Sequence, residues 1–239
     1  GYKQCLHTHS TFCDGKHTLE EMVLTAIEKG FDSIGFSVHS SMFYAPSHGI
    51  ADGYEEGYIF EVRDMAKRYE DRIKVFCGVE LDFYSKFEPL PYDYIIGSVH
   101  YLDFDGKILG FDRGVEEVKA FVNDNFGGDG LKFAEKYFQT LLLLQQKCSF
   151  DILGHFDLLT KYDEKNDFSY SEDPEYNRLA EVYIESVADT GCIFEVNTGA
   201  IARNYRTTPY PSLELMREFK ERGFGAVISS DCHNASYLD

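Results

Sequence analysis

From end to end the chain alternates apolar, β-branched runs with amphipathic helical patterns, and this alternation limits the folds open to it. The runs cover Gln4 to His9, Ser33 to His39, Ile73 to Leu81, Tyr94 to Leu102, Asp151 to His155, Cys192 to Thr198 and Ala226 to His233. Between them lie helical patterns. In "TLEEMVLTAIEKG", Thr18 can cap, Glu21 occupies the capping-box position and Gly30 follows the last turn. Further helices are predicted over about Tyr54 to Tyr69, Leu131 to Lys147, Pro174 to Thr190 and Ser212 to Arg222. Strands that are apolar almost throughout predict a parallel sheet covered on its faces by helices, and seven such units suggest a barrel more than an open sheet. "NDNFGGDG", residues 123 to 130, reads as a loop between two helices. A length of 239 residues, with no linker rich in Pro, Gly or Ser, is expected to form a single α/β domain spanning 1–239.

Histidines gather where those strands end. Of eight in the chain, six fall at or near a strand C-terminus: His7, His9, His39, His100, His155 and His233. Glu80 closes "VFCGVEL", and Asp231 stands two residues before His233, on the same strand face. In a β/α barrel the C-terminal strand ends converge on one mouth, so these residues are expected to line one cavity. A single strand-end histidine is ordinarily a hydrogen-bonded structural residue, but six at one mouth beside carboxylates point to a metal centre. Imidazole and carboxylate without thiolate suit hydrolytic zinc, iron or manganese. Asp14, in "CDGK" after the first strand, joins the set, although Asp-Gly also favours a tight turn. Nine candidates exceed the needs of one ion and suit two or three divalent metals with a bridging carboxylate. His48 reads as a loop residue, and Asp157 either orients His155 or faces solvent.

Charge and cysteine usage bound the partners. A formal net charge of -18 argues against nucleic acid, because a polyanion meets a repulsive field. Cys5, Cys13, Cys77, Cys148, Cys192 and Cys232 show no C-x-x-C spacing and lie mostly in apolar runs, where reduced cysteine acts as a small hydrophobe. No segment approaches the length of a membrane span, and the N-terminus carries no basic stretch before an apolar run. A cytoplasmic protein with no membrane partner is expected, and no pattern speaks to oligomeric state.

The succession H-x-H-x-x-x-x-D-G, strand-end His39, Glu80, His100, G-H-x-D at Gly154 to Asp157 and S-D-x-H at Ser230 to His233 resembles the polymerase and histidinol phosphatase (PHP) family over residues 4 to 234. The resemblance implies a distorted (β/α)7 TIM-like barrel with a three-metal centre at its C-terminal mouth. It implies that His7, His9, Glu80 and Asp231 hold one metal, that Glu80, His100 and His155 hold a second, and that Asp14, His39 and His233 hold a third, with Glu80 bridging the first two. "FEVNTGAIAR…YPS", residues 194 to 212, is similar to the histidinol-phosphatase branch. Family members continue for a further helix or more after the last motif. Here six residues follow His233, so a shortened chain or a different barrel closure is expected.

The expected reaction is hydrolysis of a small phosphate monoester, L-histidinol phosphate, to L-histidinol and phosphate in histidine biosynthesis. Clustered dications would generate a bridging hydroxide near neutral pH and neutralise the phosphoryl oxygens. Asp231, His233 and Glu80 are the expected catalytic residues. Arg203 and Arg206 are candidate phosphate clamps, with Lys161 as a third cation and His17 as a further substrate contact. Asp231, His17 and a water on the metals all remain open as the proton donor to the leaving group. Asp82, Tyr101, Phe43 and Tyr44 are candidates to hold an amino alcohol or imidazole. Two other readings stand beside this one: a relative acting on nucleotides or phosphotyrosyl groups, and a non-catalytic metal-binding barrel.

Overall fold

The computed structural model describes residues 1–166 and 170–239. Nine strands occur among them: β1 (Gln4–Cys5), β2 (Ser33–His39), β3 (Lys74–Asp82), β4 (Tyr94–Ser98), β5 (Tyr101–Phe104), β6 (Lys107–Gly110), β7 (Ile152–Leu153), β8 (Ile193–Asn197) and β9 (Ala226–Ser229). Seven of them form one sheet in the order β1-β2-β3-β4-β7-β8-β9, with every neighbouring pair parallel. The sheet curls until its two edges meet. A single parallel bridge, Thr8 to Cys232, joins them, and the His9 amide donates to the Cys232 carbonyl at 3.0 Å. The architecture is therefore the expected distorted seven-unit barrel, nearly closed, with a seam between its first and last strands.

The main helices are α1 (Leu19–Glu28), α2 (Glu55–Arg68), α3 (Val115–Phe126), α4 (Gly130–Lys147), α5 (Pro174–Val187), α6 (Gly199–Ala202) and α7 (Leu213–Glu221). The capping box at Thr18 and Glu21 is formed in both directions, as the sequence indicates. The glycine-rich stretch is shorter as a loop than expected. Asn123 to Phe126 finish α3, Gly127 and Gly128 break it with positive φ, and Asp129 caps α4 by accepting from the amides of Leu131 and Lys132. After β9 a short 3-10 turn, Ala235–Tyr237, lies beside α1, and Ile228 on the outer face of β9 is left exposed. All six cysteines are unpaired and five are buried, as their apolar settings suggest. Among the described residues no helix is long and apolar enough to cross a membrane.

One expected strand divides in two. The run from Tyr94 to Leu102 leaves the sheet at Val99, because Asp82 captures both the backbone amide and the ring of His100, at 2.9 and 3.0 Å. The chain then forms the antiparallel β5–β6 hairpin around a two-residue turn, Asp105-Gly106, with φ of 54° and 88°. A turn of this kind demands positive φ at both positions, which Asp-Gly supplies. The hairpin rises beside the barrel mouth and leads into the loop before α3.

Inside the barrel the side chains form two layers of opposite character. The lower layer is apolar: Tyr94, Ile96 and Ile152 pack with Leu6, Phe76, Ile193 and Val227. Tyr94 crosses the interior and donates its hydroxyl to the Leu6 carbonyl at 2.5 Å. Its ring fits because residues 35 and 78 are glycines; a Cβ at Gly78 would sit 2.4 Å from the Tyr94 ring. Polar side chains are thereby confined to the upper layer, at the mouth. Gly78→Ala is expected to destabilise the protein by about 1–3 kcal/mol through overpacking. Gly57→Ala, on the exposed face of α2 where an added Cβ meets nothing, should stabilise it by roughly 0.5–1 kcal/mol. Urea denaturation of both variants at fixed metal concentration checks the pair; equal midpoints would refute the role given to Tyr94.

Candidate metal centre

Most of the ligand-type side chains of the mouth are delivered by strand ends. Thr8 donates its hydroxyl to the Gly35 carbonyl at 2.8 Å, so His7 and His9 on either side of it turn into the barrel, where both are buried. His39 ends β2 directly beside Glu80 of β3, its register partner. His100 follows β4, and His155 lies two residues beyond β7. At the end of β9, Asp231 adopts φ of 50°, a left-handed conformation that aspartate tolerates better than most residues and that re-aims the chain over the mouth. Asp14 reaches the same place from the turn after His9, its Oδ1 lying 3.2 Å from His233 Nε2.

The ligand atoms fall into three groups, each with all members within 4.8 Å of one another: His7, His9, Glu80 and Asp231; Glu80, His100 and His155; and His9, Asp14, His39 and His233. All nine expected residues are brought together. The one difference from the expected grouping is that His9 also reaches the third set.

Hydrogen bonds around these groups determine which atoms face inward. His7 Nδ1 donates to Glu195 at 2.8 Å, His100 Nδ1 donates to Asp82 at 3.0 Å, and His233 Nδ1 donates to the Asp231 carbonyl at 3.1 Å. Each of these bonds leaves the Nε2 lone pair facing the cluster, the tautomer a metal ligand requires. His7 Nε2 is then 2.9 Å from Glu80 Oε1 and 3.2 Å from Asp231 Oδ1, and His9 Nε2 is 3.2 Å from both oxygens. Lone pairs packed against carboxylate oxygens repel unless a cation or a second ring proton lies among them. His9 Nε2, Asp14 Oδ1 and Asp231 Oδ1 are moreover buried with no hydrogen-bond partner. Buried polar atoms are normally satisfied, so this donor set fits a centre of divalent cations.

The electrostatics show how tightly the groups are coupled. Burial opposes the charged form of His7, yet Asp231, Glu195 and Glu80 outweigh it and push its pKa well above the usual imidazole value. Burial also opposes ionisation of Glu80, but His7 and His39 hold its carboxyl well below the usual range. His39 behaves differently: burial takes it down to about 3, despite opposition from Glu80. Burial opposes the charge on His100 too, and its bond to Asp82 nevertheless raises it to about 9.

A cavity of about 330 Å³ opens above these groups. Lys161, Arg203 and Tyr101 line it, in keeping with the sequence expectation. Arg203 donates to the Asp231 carbonyl at 3.0 Å and lies at the edge of the first group. Arg206 does not line this cavity. Its guanidinium covers the Tyr210 ring at 4.6 Å and donates to the Thr160 hydroxyl at 2.5 Å, facing a separate cavity. Asp82 also departs from its expected place: it is buried beneath the mouth, orienting His100. His17 stands outside the cavity, its Nδ1 accepting from the Ala235 amide at 3.1 Å. Phe43 is exposed, and Tyr44 packs over Asp82 rather than into the cavity. Asp157 neither bonds His155 nor meets solvent; it is buried and accepts from the Ser212 amide at 2.9 Å.

Sequence reasoning passed over Glu195. Fully buried in β8, it accepts from His7, from the His155 amide at 2.7 Å, from Asn197 at 2.8 Å and from the Ser229 hydroxyl at 2.5 Å. Its signal was present: Glu195 and Asn197 are polar residues on alternate positions of an otherwise apolar strand, which places them on one inward face. Asp112 and Arg113, in the loop after the hairpin, also line the cavity without having been anticipated.

A nearly closed parallel barrel with clustered imidazoles and carboxylates at its C-terminal mouth defines a metal-binding barrel of the kind that performs chemistry at its strand ends. The chain belongs to the PHP domain family, whose model matches residues 6–199. It is 25% identical over 253 aligned residues to the histidinol-phosphatase of Bacillus subtilis, covering 96% of this chain and 92% of that protein. Two solved structures share the fold at 20% identity. One is a candidate histidinol phosphatase from Listeria monocytogenes, with a TM-score of 0.83 over 99% of this chain and 97% of that one. The other is a histidinol phosphate phosphatase of Lactococcus lactis, complexed with zinc, L-histidinol and phosphate, with a TM-score of 0.70 over 98% and 87%.

Glu195→Gln replaces an acceptor of four hydrogen bonds with an amide whose NH2 group faces some of the same donors. It should weaken divalent metal binding by roughly 10- to 100-fold. Titration of metal-free protein with zinc against a chromogenic chelator measures this, and unchanged affinity would show that Glu195 does not support the centre.

Proposed function

We infer that the protein is a metal-dependent phosphoric monoester hydrolase that converts L-histidinol phosphate to L-histidinol and phosphate. The observation that carries this reading is the meeting, at one cavity, of three His/carboxylate groups with three cationic side chains, Lys161, Arg203 and Arg113. The name and the bound molecules of the relatives described above support the choice of substrate.

His7, His9, Glu80 and Asp231 would hold one divalent ion, Glu80, His100 and His155 a second, and Asp14, His39 and His233 a third, with Glu80 shared. Zinc, iron and manganese all suit this set. Ions bound there lower the pKa of water and neutralise charge on the phosphoryl oxygens. The protein's own groups do the rest. Lys161 and Arg203 give charge-assisted hydrogen bonds to phosphate oxygens that no ligand group occupies. Asp231 links the two functions, because its carboxylate lies in the first group while its carbonyl accepts from Arg203. Asn197 donates to its second carboxylate oxygen at 3.3 Å and keeps it oriented. His17, outside the cavity, is in no position to protonate the leaving group.

Phosphate release from L-histidinol phosphate should exceed that from adenosine monophosphate, phosphotyrosine and an aryl phosphate by on the order of a thousandfold in kcat/KM, with each divalent metal tested in turn. Equal turnover of all four would remove the substrate assignment and leave only the hydrolase. Lys161→Ala and Arg203→Ala should each raise KM for L-histidinol phosphate by about 10- to 100-fold. Arg206→Ala should lower the melting temperature and leave KM within about threefold of wild type, because its guanidinium braces Thr160 and Tyr210. A large KM effect at Arg206 would overturn its placement outside the site.

A further inference from the structure

The turn after His9 brings two side chains to the metal centre, and only one of them, Asp14, belongs to a set of ligand atoms. The Ser10 carbonyl accepts from the amides of Cys13 and Gly15, at 3.1 and 2.9 Å, and its hydroxyl accepts from the Phe12 amide at 3.2 Å. The turn closes tightly at residue 15, where a Cβ would sit 2.5 Å from the Ser10 nitrogen, so glycine is required there. This fold of the chain sets Cys13 Sγ 3.4 Å from His9 Nδ1. At the other end of the ring, His9 Nε2 is buried without a hydrogen-bond partner, 3.2 Å from Glu80 Oε1 and Asp231 Oδ1. A ring that offers Nε2 to a cation carries its proton on Nδ1, and the atom placed to accept that proton is Cys13 Sγ. Five of the six cysteines are buried; Cys13 alone is not.

We propose that Cys13 is the positioning residue of His9, its sulfur accepting from Nδ1 and so aiming Nε2 at the cations. The proposal rests on the reading of these groups as a metal centre and adds to it a residue that holds no ion itself. Cys13 does for His9 what Glu195, Asp82 and the Asp231 carbonyl do for His7, His100 and His233. His9 is the ring on which such control has the widest effect. It is common to the first and third groups, and it stacks between His39 and His233, with centroids 4.3 and 4.1 Å away. A turn of this ring displaces Nε2 from two groups at once and leaves the second group, Glu80, His100 and His155, with its own nitrogens in place. One short turn therefore serves the centre twice, giving Asp14 to the third group as a ligand and Cys13 to His9 as an acceptor.

The test titrates metal-free wild-type protein, Cys13→Ala and Cys13→Ser with zinc against a chromogenic chelator and resolves the bound ions by their separate affinities. Neither substitution adds bulk to the turn. In Cys13→Ala the ions of the first and third groups should bind roughly 10- to 100-fold more weakly, while the ion of the second group stays within about threefold of wild type. Serine keeps an acceptor beside Nδ1, so Cys13→Ser should recover most of the loss. Unchanged affinities in the alanine variant would overturn the proposal. Equal weakening of every ion would overturn it as well, because a general disturbance of the mouth, and not the aim of one ring, would then be at work. Equal losses in the alanine and serine variants would do the same, since the acceptor would not matter. Wild-type protein that binds none of zinc, manganese or ferrous iron would defeat the metal-centre reading itself, an outcome separate from the behaviour of the variants.

Discussion

Glu80 sets the terms for the rest of the molecule. Its carboxylate is 2% exposed, and five imidazoles surround it: His7, His9 and His39 face Oε1, while His100 and His155 face Oε2. A lone carboxylate in such a place would protonate or draw in water. Encircled by nitrogen lone pairs it calls for cations instead, and one carboxylate with two oxygens is the simplest bridge between two of them. The barrel geometry serves this requirement. Only at the C-terminal ends of a closed or nearly closed parallel sheet can four strand ends deliver five imidazoles to one carboxylate.

Two features keep that arrangement from collapsing. Beneath it, the Tyr94 plug and its apolar neighbours fill the barrel, so the mouth residues rest on a packed floor and cannot sink toward one another. Around it, Glu195, Asp82 and the Asp231 carbonyl hold three imidazoles by their outward nitrogens. The weakest point is the seam, where a single backbone bridge, Thr8 to Cys232, joins the first and last strands. The residues flanking that bridge are His7, His9, Asp231 and His233. Cations shared by these four side chains would therefore tie the seam together, so metal binding and barrel closure support each other.

The metal centre was legible because strand ends are recognisable from apolar runs, and histidines repeated there are rarely structural. The layer that orients the ligands was harder to read, since a carboxylate supporting an imidazole has the same sequence signature as one that meets substrate. Asp82, two residues beyond Glu80, shares its strand face, and only the departure of the chain at His100 reveals which group it holds. Arg203 and Arg206 look equivalent in "ARNYR". They part because α6 ends at Ala202 and Asn204 takes φ of 61°, reversing the chain between them. The β5–β6 hairpin was foreshadowed by Asp105-Gly106, between Phe104 and Lys107, but the long apolar run before it masked the break.

The charge of the chain bears on which phosphates it can accept. A formal charge of -18 repels anions at long range, yet at physiological ionic strength the field of exposed acids decays over about 8 Å. Inside the mouth the nearest charges decide, and there Lys161, Arg203 and Arg113, with any divalent ions held by the three groups, would oppose the carboxylates. A monoester small enough to enter leaves the repulsive field behind once it reaches the cavity. A polymeric phosphate would have to lay its flanking charges across the acidic surface while one group occupied the mouth. On the proposed function, the acidic exterior would act against long polyanions while the cations gathered at the mouth would hold a single phosphate.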